Sequence, residues 1–113
     1  MSLSNQHCVP CRGGVAPLDR VEAERYLKGV PEWTLSENRI RRRFAFKNFT
    51  AAQSFVNRIA DLAEEEGHHP DICFGWGYCE VTLYTHKIKG LHQNDFIMAA
   101  KIDALVPVPA SQA

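Results

Sequence analysis

The chain carries five histidines, at positions 7, 68, 69, 86 and 92. His68 and His69 are adjacent at what reads as the end of a helix, and His86 follows what reads as the end of a strand. Imidazole changes charge near neutral pH, so clustered histidines make a proton-transfer device or a metal site. Two loop histidines and one exposed strand-end histidine would look the same, and on composition alone that plainer description is preferred. Glu64, Glu65 and Glu66 precede the pair in the last helical turn, where the helix dipole disfavours negative charge. Helix stability therefore does not explain three carboxylates there.

The metal reading is the weaker one. Zinc takes paired ligands one helical turn or a short loop apart, whereas neighbouring His68 and His69 diverge, and H-E-x-x-H is absent. Cys8 and Cys11 form a C-x-x-C beside His7 without a second pair at finger spacing, in an irregular stretch where a metal-free loop is expected. Cys73 and Cys79 read as strand cysteines. There is no G-x-G-x-x-G, P-loop or G-x-S-x-G. Arg39 to Arg43 holds four arginines in five residues, an anion patch or simply a solvated strand face; the balanced total charge favours the latter.

The elements that must position these residues follow from periodicity. Pro17-Leu18-Asp19 opens a first helix, with Asp19 as N-cap and Gly29 as stop. Trp33 to Leu35 reads as a short strand, Glu37 to Arg39 as a turn, and Ile40 to Phe46 as a second strand. Ile40, Phe44 and Phe46 share one strand face, and Arg42 breaks the alternation. Ala52, Phe55, Val56, Ile59, Ala60 and Ala63 make one helical stripe, with Thr50 as N-cap and Gly67 just past the end. Pro70 ends that helix. Asp71 to Phe74 begins a third strand, Gly75-Trp76-Gly77 turns, and Tyr78 to Thr85 is a fourth strand. Asp95 to Leu105 is a third helix. Short links between strands imply antiparallel hairpins. The expected fold is α+β and two-layer, a four-stranded antiparallel sheet with three helices on one face. Its other face must be wet or covered by a partner.

Length and composition agree. The 113 residues make one domain, read as an irregular arm over 1–16, the domain over 17–107 and a flexible tail over 108–113. Thirteen Lys and Arg balance thirteen Asp and Glu, which gives no support to nonspecific nucleic-acid binding. No apolar run approaches the roughly 20 residues of a membrane span. The start lacks the features of a signal peptide, and four cysteines are too few for a disulfide scaffold, so free thiols and a cytoplasmic location are expected.

One spacing is specific: Glu64, three residues, His68-His69-Pro70, five residues, Trp76, nine residues, His86, eight residues, Asp95. It resembles the signature of the pterin-4a-carbinolamine dehydratases, bacterial type, over about residues 8 to 105. Cys8-Val9-Pro10-Cys11 and Trp33 also resemble bacterial members. The resemblance implies removal of water from 4a-hydroxytetrahydrobiopterin to give quinonoid dihydropterin, in recycling of the pterin of an aromatic amino acid hydroxylase, with no metal or organic cofactor. It implies His68 and His86 as the acid–base pair and His69 as a binding residue. Glu64 and Asp95 would orient or charge the histidines. Pro70, Thr85, His86, Lys87 and Ile88 would line the pterin pocket. Trp33 and Trp76 would stack on the ring or pack, and packing is expected of both. The residue before His68 is Gly67, where some relatives carry an acidic residue, which leaves one orienting carboxylate open.

Two other readings compete. One is a non-catalytic relative acting as a transcription-factor dimerisation cofactor or an assembly chaperone. The intact histidine set argues for retained chemistry against it. The other is a small metal protein using Cys8, Cys11 and a histidine. The expected partners are a pterin substrate and a second copy, in a homodimer or homotetramer; no membrane and no direct nucleic-acid contact are expected.

Overall fold

The computed structural model of the chain describes residues 3–9 and 16–106. Cys11 and the tail from residue 107, both singled out above, lie outside the described residues.

Asp19 caps α1 (Arg20–Leu27) as expected. Its carboxylate accepts from the Glu22 N–H at 2.8 Å, while Glu22 reaches back to the Asp19 N–H at 3.3 Å. This reciprocal box satisfies two donors that the helix start would otherwise leave unpaired. β1 (Thr34–Ser36) and β2 (Arg39–Ala45) form a hairpin through Glu37 and Asn38, at φ 52° and 60°. Two central residues with positive φ match the right-handed twist of the flanking strands. Arg39 thus belongs to the strand rather than the turn.

α2 (Phe49–Glu66) buries Ala52, Phe55, Ile59 and Ala63, whereas Ala60 is exposed, so the stripe is narrower than its periodicity predicts. Asn48, not Thr50, is the N-cap: its side chain accepts from the Ala51 N–H at 2.8 Å. Both residue types cap well, and the apolar stripe begins too late to choose between them. Gly67 ends the helix in the left-handed region at φ 66°.

β3 (Asp71–Gly75) and β4 (Tyr78–Leu83) form the second hairpin, and the antiparallel sheet runs β1-β2-β4-β3. The register Ile40↔Leu83, Arg42↔Val81 and Phe44↔Cys79 puts these residues on the face covered by helices. Arg42 therefore points inward. Its guanidinium crosses the Phe44 ring at 4.4 Å and meets Asp103 at 2.7 Å, which accounts for the broken alternation. Arg39, Arg41 and Arg43 take the open face. Arg39 and Arg43 each lie 4.2 Å from a tyrosine ring, Tyr84 and Tyr78, and Arg41 bonds the Thr82 hydroxyl. The cleft of about 310 Å³ beside them is also lined by Glu32 and Glu80, so the arginines there have opposite charge at hand.

α3 (Gln93–Asp103) starts two residues earlier than predicted, because His92 caps it. Histidine is not among the preferred N-caps, so the start signal was hidden. Phe44, Phe55 and Trp33 fill the space between sheet and helices, with ring centroids 4.8 Å apart for Phe44–Phe55 and 6.3 Å for Trp33–Phe44. Trp33 packs as expected, with its indole N–H donated to Asp103 at 2.8 Å. Trp76 does not pack. It sits 71% exposed on the β3–β4 turn, where Gly77 at φ 83° reverses the chain and turns the indole outward. No helix among the described residues is long and apolar enough to cross a membrane.

Candidate active site

Gly67 is what brings the histidines into play. At positive φ it turns the chain sharply, and the His68 N–H closes the end of α2 on the Ala63 carbonyl at 3.2 Å. The His68 ring then points under the helix toward the start of α3. Its Nε2 lies 2.7 Å from Oδ1 of Asp95, whose side chain is fully buried. The second oxygen of Asp95 accepts from the Thr85 hydroxyl at 2.9 Å and from the His92 N–H at 2.9 Å.

Three donors therefore converge on one buried carboxylate. Buried polar groups are costly unless bonded, and this one is fully bonded. As a carboxylate Asp95 only accepts, so the network assigns the His68 Nε2 proton as a donor to it. That leaves Nδ1 as the atom able to take or give a proton. A histidine fixed by a carboxylate behind it is the arrangement general acid–base chemistry requires.

His69 forms a second, exposed pair with Glu64, Nε2 to Oε2 at 2.5 Å. With both side chains more than half exposed, water screens this pair, and it orients more than it stabilises. Position 67 is the cap of α2, and the two histidines lie against the carboxylates of Asp95 and Glu64.

His86 opens a short 3-10 turn, His86–Ile88, and its exposed ring stands edge-on to Tyr84 at 4.2 Å. Among the described residues, no hydrogen bond, ion pair or ring contact joins it to His68 or His69. Its neighbour Thr85 supplies the link, being bonded to the same Asp95 that holds His68. The loop is fixed by the Thr85–Gly90 bridge and by Lys89 at φ 53°. Ile88 is buried, Lys87 exposed and Pro70 half-buried. A cleft of about 360 Å³ at this end is lined by His86, Tyr84, Arg39 and Lys89 with Glu37 and Asn38.

Some contributors escaped the sequence reading. Thr85, named only as a pocket residue, also bonds Asp95 through its hydroxyl, and His92 supplies a backbone N–H. The spacing His92-x-x-Asp95 is that of a capping box, with His in the place normally held by Ser, Thr or Asp. Glu66, expected only as one of three carboxylates, has a nearly buried side chain and bonds the Cys8 N–H at 2.8 Å and the His7 ring at 2.9 Å. Burial alone would raise its pKa, but the hydrogen bonds from Cys8 and His7 and the charge of Lys101 outweigh it and hold the carboxyl below 4.5. Cys8 is pushed up to about 12, first by burial and then by Glu66 and Asp95. Among the described residues, no group of three His, Cys, Asp or Glu side chains is arranged to hold a metal ion.

Residues 16–105 match the family described as pterin 4 alpha carbinolamine dehydratase. The chain belongs to this family. Its relatives include a protein of Halorhodospira halophila named for the same activity, 61% identical over 93% of this chain and 98% of that one. Another so named, from Rubrobacter xylanophilus, is 54% identical over 91% of this chain and 97% of its own. These are hydro-lyases by name. Among solved structures, a transcriptional coactivator/pterin dehydratase from Brucella melitensis superposes with a TM-score of 0.76 at 31% identity, covering 80% of this chain and 99% of that one. A pterin dehydratase-like RuBisCO assembly factor of the alpha-carboxysome gives 0.54 at 31% identity, over 65% of this chain and 84% of its own. The first of these structures carries the same dehydratase fold as the helices and sheet described above.

Proposed function

We propose that the chain dehydrates 4a-hydroxytetrahydropterin, such as 4a-hydroxytetrahydrobiopterin, to quinonoid dihydropterin and water. In this role it returns the pterin used by an aromatic amino acid hydroxylase to a reducible form. The reading rests on one observation above the rest, the buried carboxylate of Asp95 holding His68 from behind. The reaction breaks the C4a–O bond and the N5–H bond and forms the C4a–N5 double bond. The hydroxyl leaves as water, having gained one proton, and N5 loses one, so no other reactant is consumed.

Two proton movements suit two histidines. His68 at Nδ1 and His86 serve as the acid–base pair, one protonated and one neutral, while His69 with Glu64 binds and orients the ring. Pro70 and the stretch from Thr85 to Ile88 line the pocket. General acid–base help of this kind is worth about 10²–10⁴-fold. The His68→Ala and His86→Ala changes are expected to lower kcat on that order, and His69→Ala to act more on KM. An unchanged kcat in His86→Ala would remove His86 from the pair.

A partner-binding role is the second reading. It is favoured by the names of the two structural relatives and by the exposure of two aromatic side chains, Trp76 and Phe49, the latter tilted against Phe74. The assay separates them. A phenylalanine hydroxylase generates the carbinolamine in place, and its decay is followed by ultraviolet absorbance with and without this protein. Acceleration that His68→Ala abolishes supports the dehydratase. Decay at the spontaneous rate, with the protein shown folded, supports the partner role.

A further inference from the structure

The segment from His7 to Val9, expected to be an irregular arm, is held in place by two side chains. Glu66 accepts from the Cys8 N–H at 2.8 Å with one oxygen and meets the His7 ring at 2.9 Å with the other, while Lys101 lies 3.9 Å away. Asn94 grips the next residue by its backbone. Its Oδ1 accepts from the Val9 N–H at 3.0 Å, and its Nδ2 donates to the Val9 carbonyl at 2.6 Å. The Cys8 thiol adds a contact to the Asn94 carbonyl at 3.6 Å. Upstream, Lys101 bonds the Ser4 carbonyl and Gln93 bonds Gln6, so the segment runs along α3.

The positions of the two gripping residues matter more than the bonds themselves. Glu66 ends α2 two residues before His68, and Asn94 immediately precedes Asp95. The arm thus joins the very backbones that carry the two halves of the buried pair. That pair is otherwise a single 2.7 Å hydrogen bond between a helix end and a helix start, where helices fray. Asn94 is buried, and it holds both the backbone donor and the backbone acceptor of one residue, Val9, which fixes orientation as well as distance. The match to the dehydratase family begins at residue 16, beyond this segment.

We infer that residues 7–9 form a clip between the end of α2 and the start of α3, and that Glu66 and Asn94 are positioning residues that hold His68 in register with Asp95. The kinetic half of this inference rests on the dehydratase reading; the structural half does not.

The test uses the full chain with Glu66→Ala, Asn94→Ala or Val9→Pro. The last removes the N–H given to Asn94 and restricts the backbone at residues 8 and 9, and it lies outside both helices. In the free protein, NMR follows the His68 Nε2–H proton, which a buried bond to Asp95 protects from exchange. The clip predicts that this resonance broadens or disappears in all three variants while their melting stays cooperative, and that Glu66→Gln, which still accepts from Cys8, keeps it. Under turnover, kcat in the alanine variants falls about tenfold with KM nearly unchanged, as a misplaced catalytic group demands. Folded variants that keep the wild-type resonance overturn the clip. If the alanine variants do not fold, Val9→Pro decides alone. Loss of the resonance in variants of a protein that never turns over pterin leaves the clip standing and removes the dehydratase reading. Activity in the wild type with the resonance unmoved does the reverse.

Discussion

Asp95 gathers three donors onto one buried carboxylate, and only one of them, the His68 ring, is an imidazole. The other two, Thr85 and His92, belong to the loop and the helix cap, so the carboxylate that orients the histidine through Oδ1 also locks its surroundings through Oδ2. Cysteine chemistry at this scale is predictable from burial. The Cys8 thiol is raised to about 12, so it stays protonated at neutral pH, whereas Cys73 lies exposed on β3. Brief treatment with iodoacetamide near neutral pH is expected to modify Cys73 well before Cys8, as localised by fragment mass spectrometry. Equal rates would contradict the half-buried placement of Cys8. At this scale the sequence was readable where residue type carries the chemistry. His68, His69, Glu64 and Asp95 were singled out from residue type and spacing, and the fold places them in two hydrogen-bonded pairs. The pairing of His68 was not legible, because Asp95 is 27 residues away and only the fold brings them together. The bond from the Thr85 hydroxyl likewise depends on the fold, whereas His92 was hidden because histidine is not among the preferred N-caps.

At the scale of the element, helix ends do the positioning. Gly67 turns His68 inward, His92 caps α3 over Asp95, and Glu66 fastens the arm. The carboxylates in the last turn of α2, unfavourable to the dipole, are explained in two of three cases: Glu64 meets His69 and Glu66 meets Cys8 and His7. A pH dependence follows from Glu66. Its folded pKa is depressed, so its contribution to stability is present above the unfolded value of 4.5 and is lost as pH falls through the folded one. Asp103 works in the opposite sense, because burial raises its pKa against the bonds from Trp33 and Arg42. Urea denaturation at about pH 6 and about pH 3 should show a smaller acid loss in Glu66→Gln than in the wild type. Equal losses would mean that the arm is not held through this carboxylate. Periodicity gave the elements of the domain in the right order, since apolar stripes and turn glycines act locally. It missed the starts of α2 and α3, where Asn48 caps in place of Thr50 and the His92 cap starts α3 two residues before the expected position.

At the scale of the whole molecule, one sheet face is covered by helices and the other is open, lined by Arg39, Arg41, Arg43, Tyr78 and Tyr84. The edge strand β3 pairs on one side only. An open face and an unpaired edge are surfaces that a second copy covers at low cost. A dimer or a dimer of dimers is therefore expected in sedimentation equilibrium at micromolar protein, and a monomer there would refute it. Strand order and the inward turn of Arg42 were not legible beforehand, because both depend on the pairing of β2 with β4 across 32 intervening residues that include a helix.

The dehydratase account turns on Asp95 acting through His68, and the most direct measurement is the carbinolamine decay catalysed by Asp95→Asn. Asparagine keeps the size and can still accept a hydrogen bond, but it carries no charge to support an imidazolium. With the fold confirmed by circular dichroism, kcat should drop by about 10²-fold or more while KM changes little. A folded Asp95→Asn protein with wild-type kcat would contradict the account.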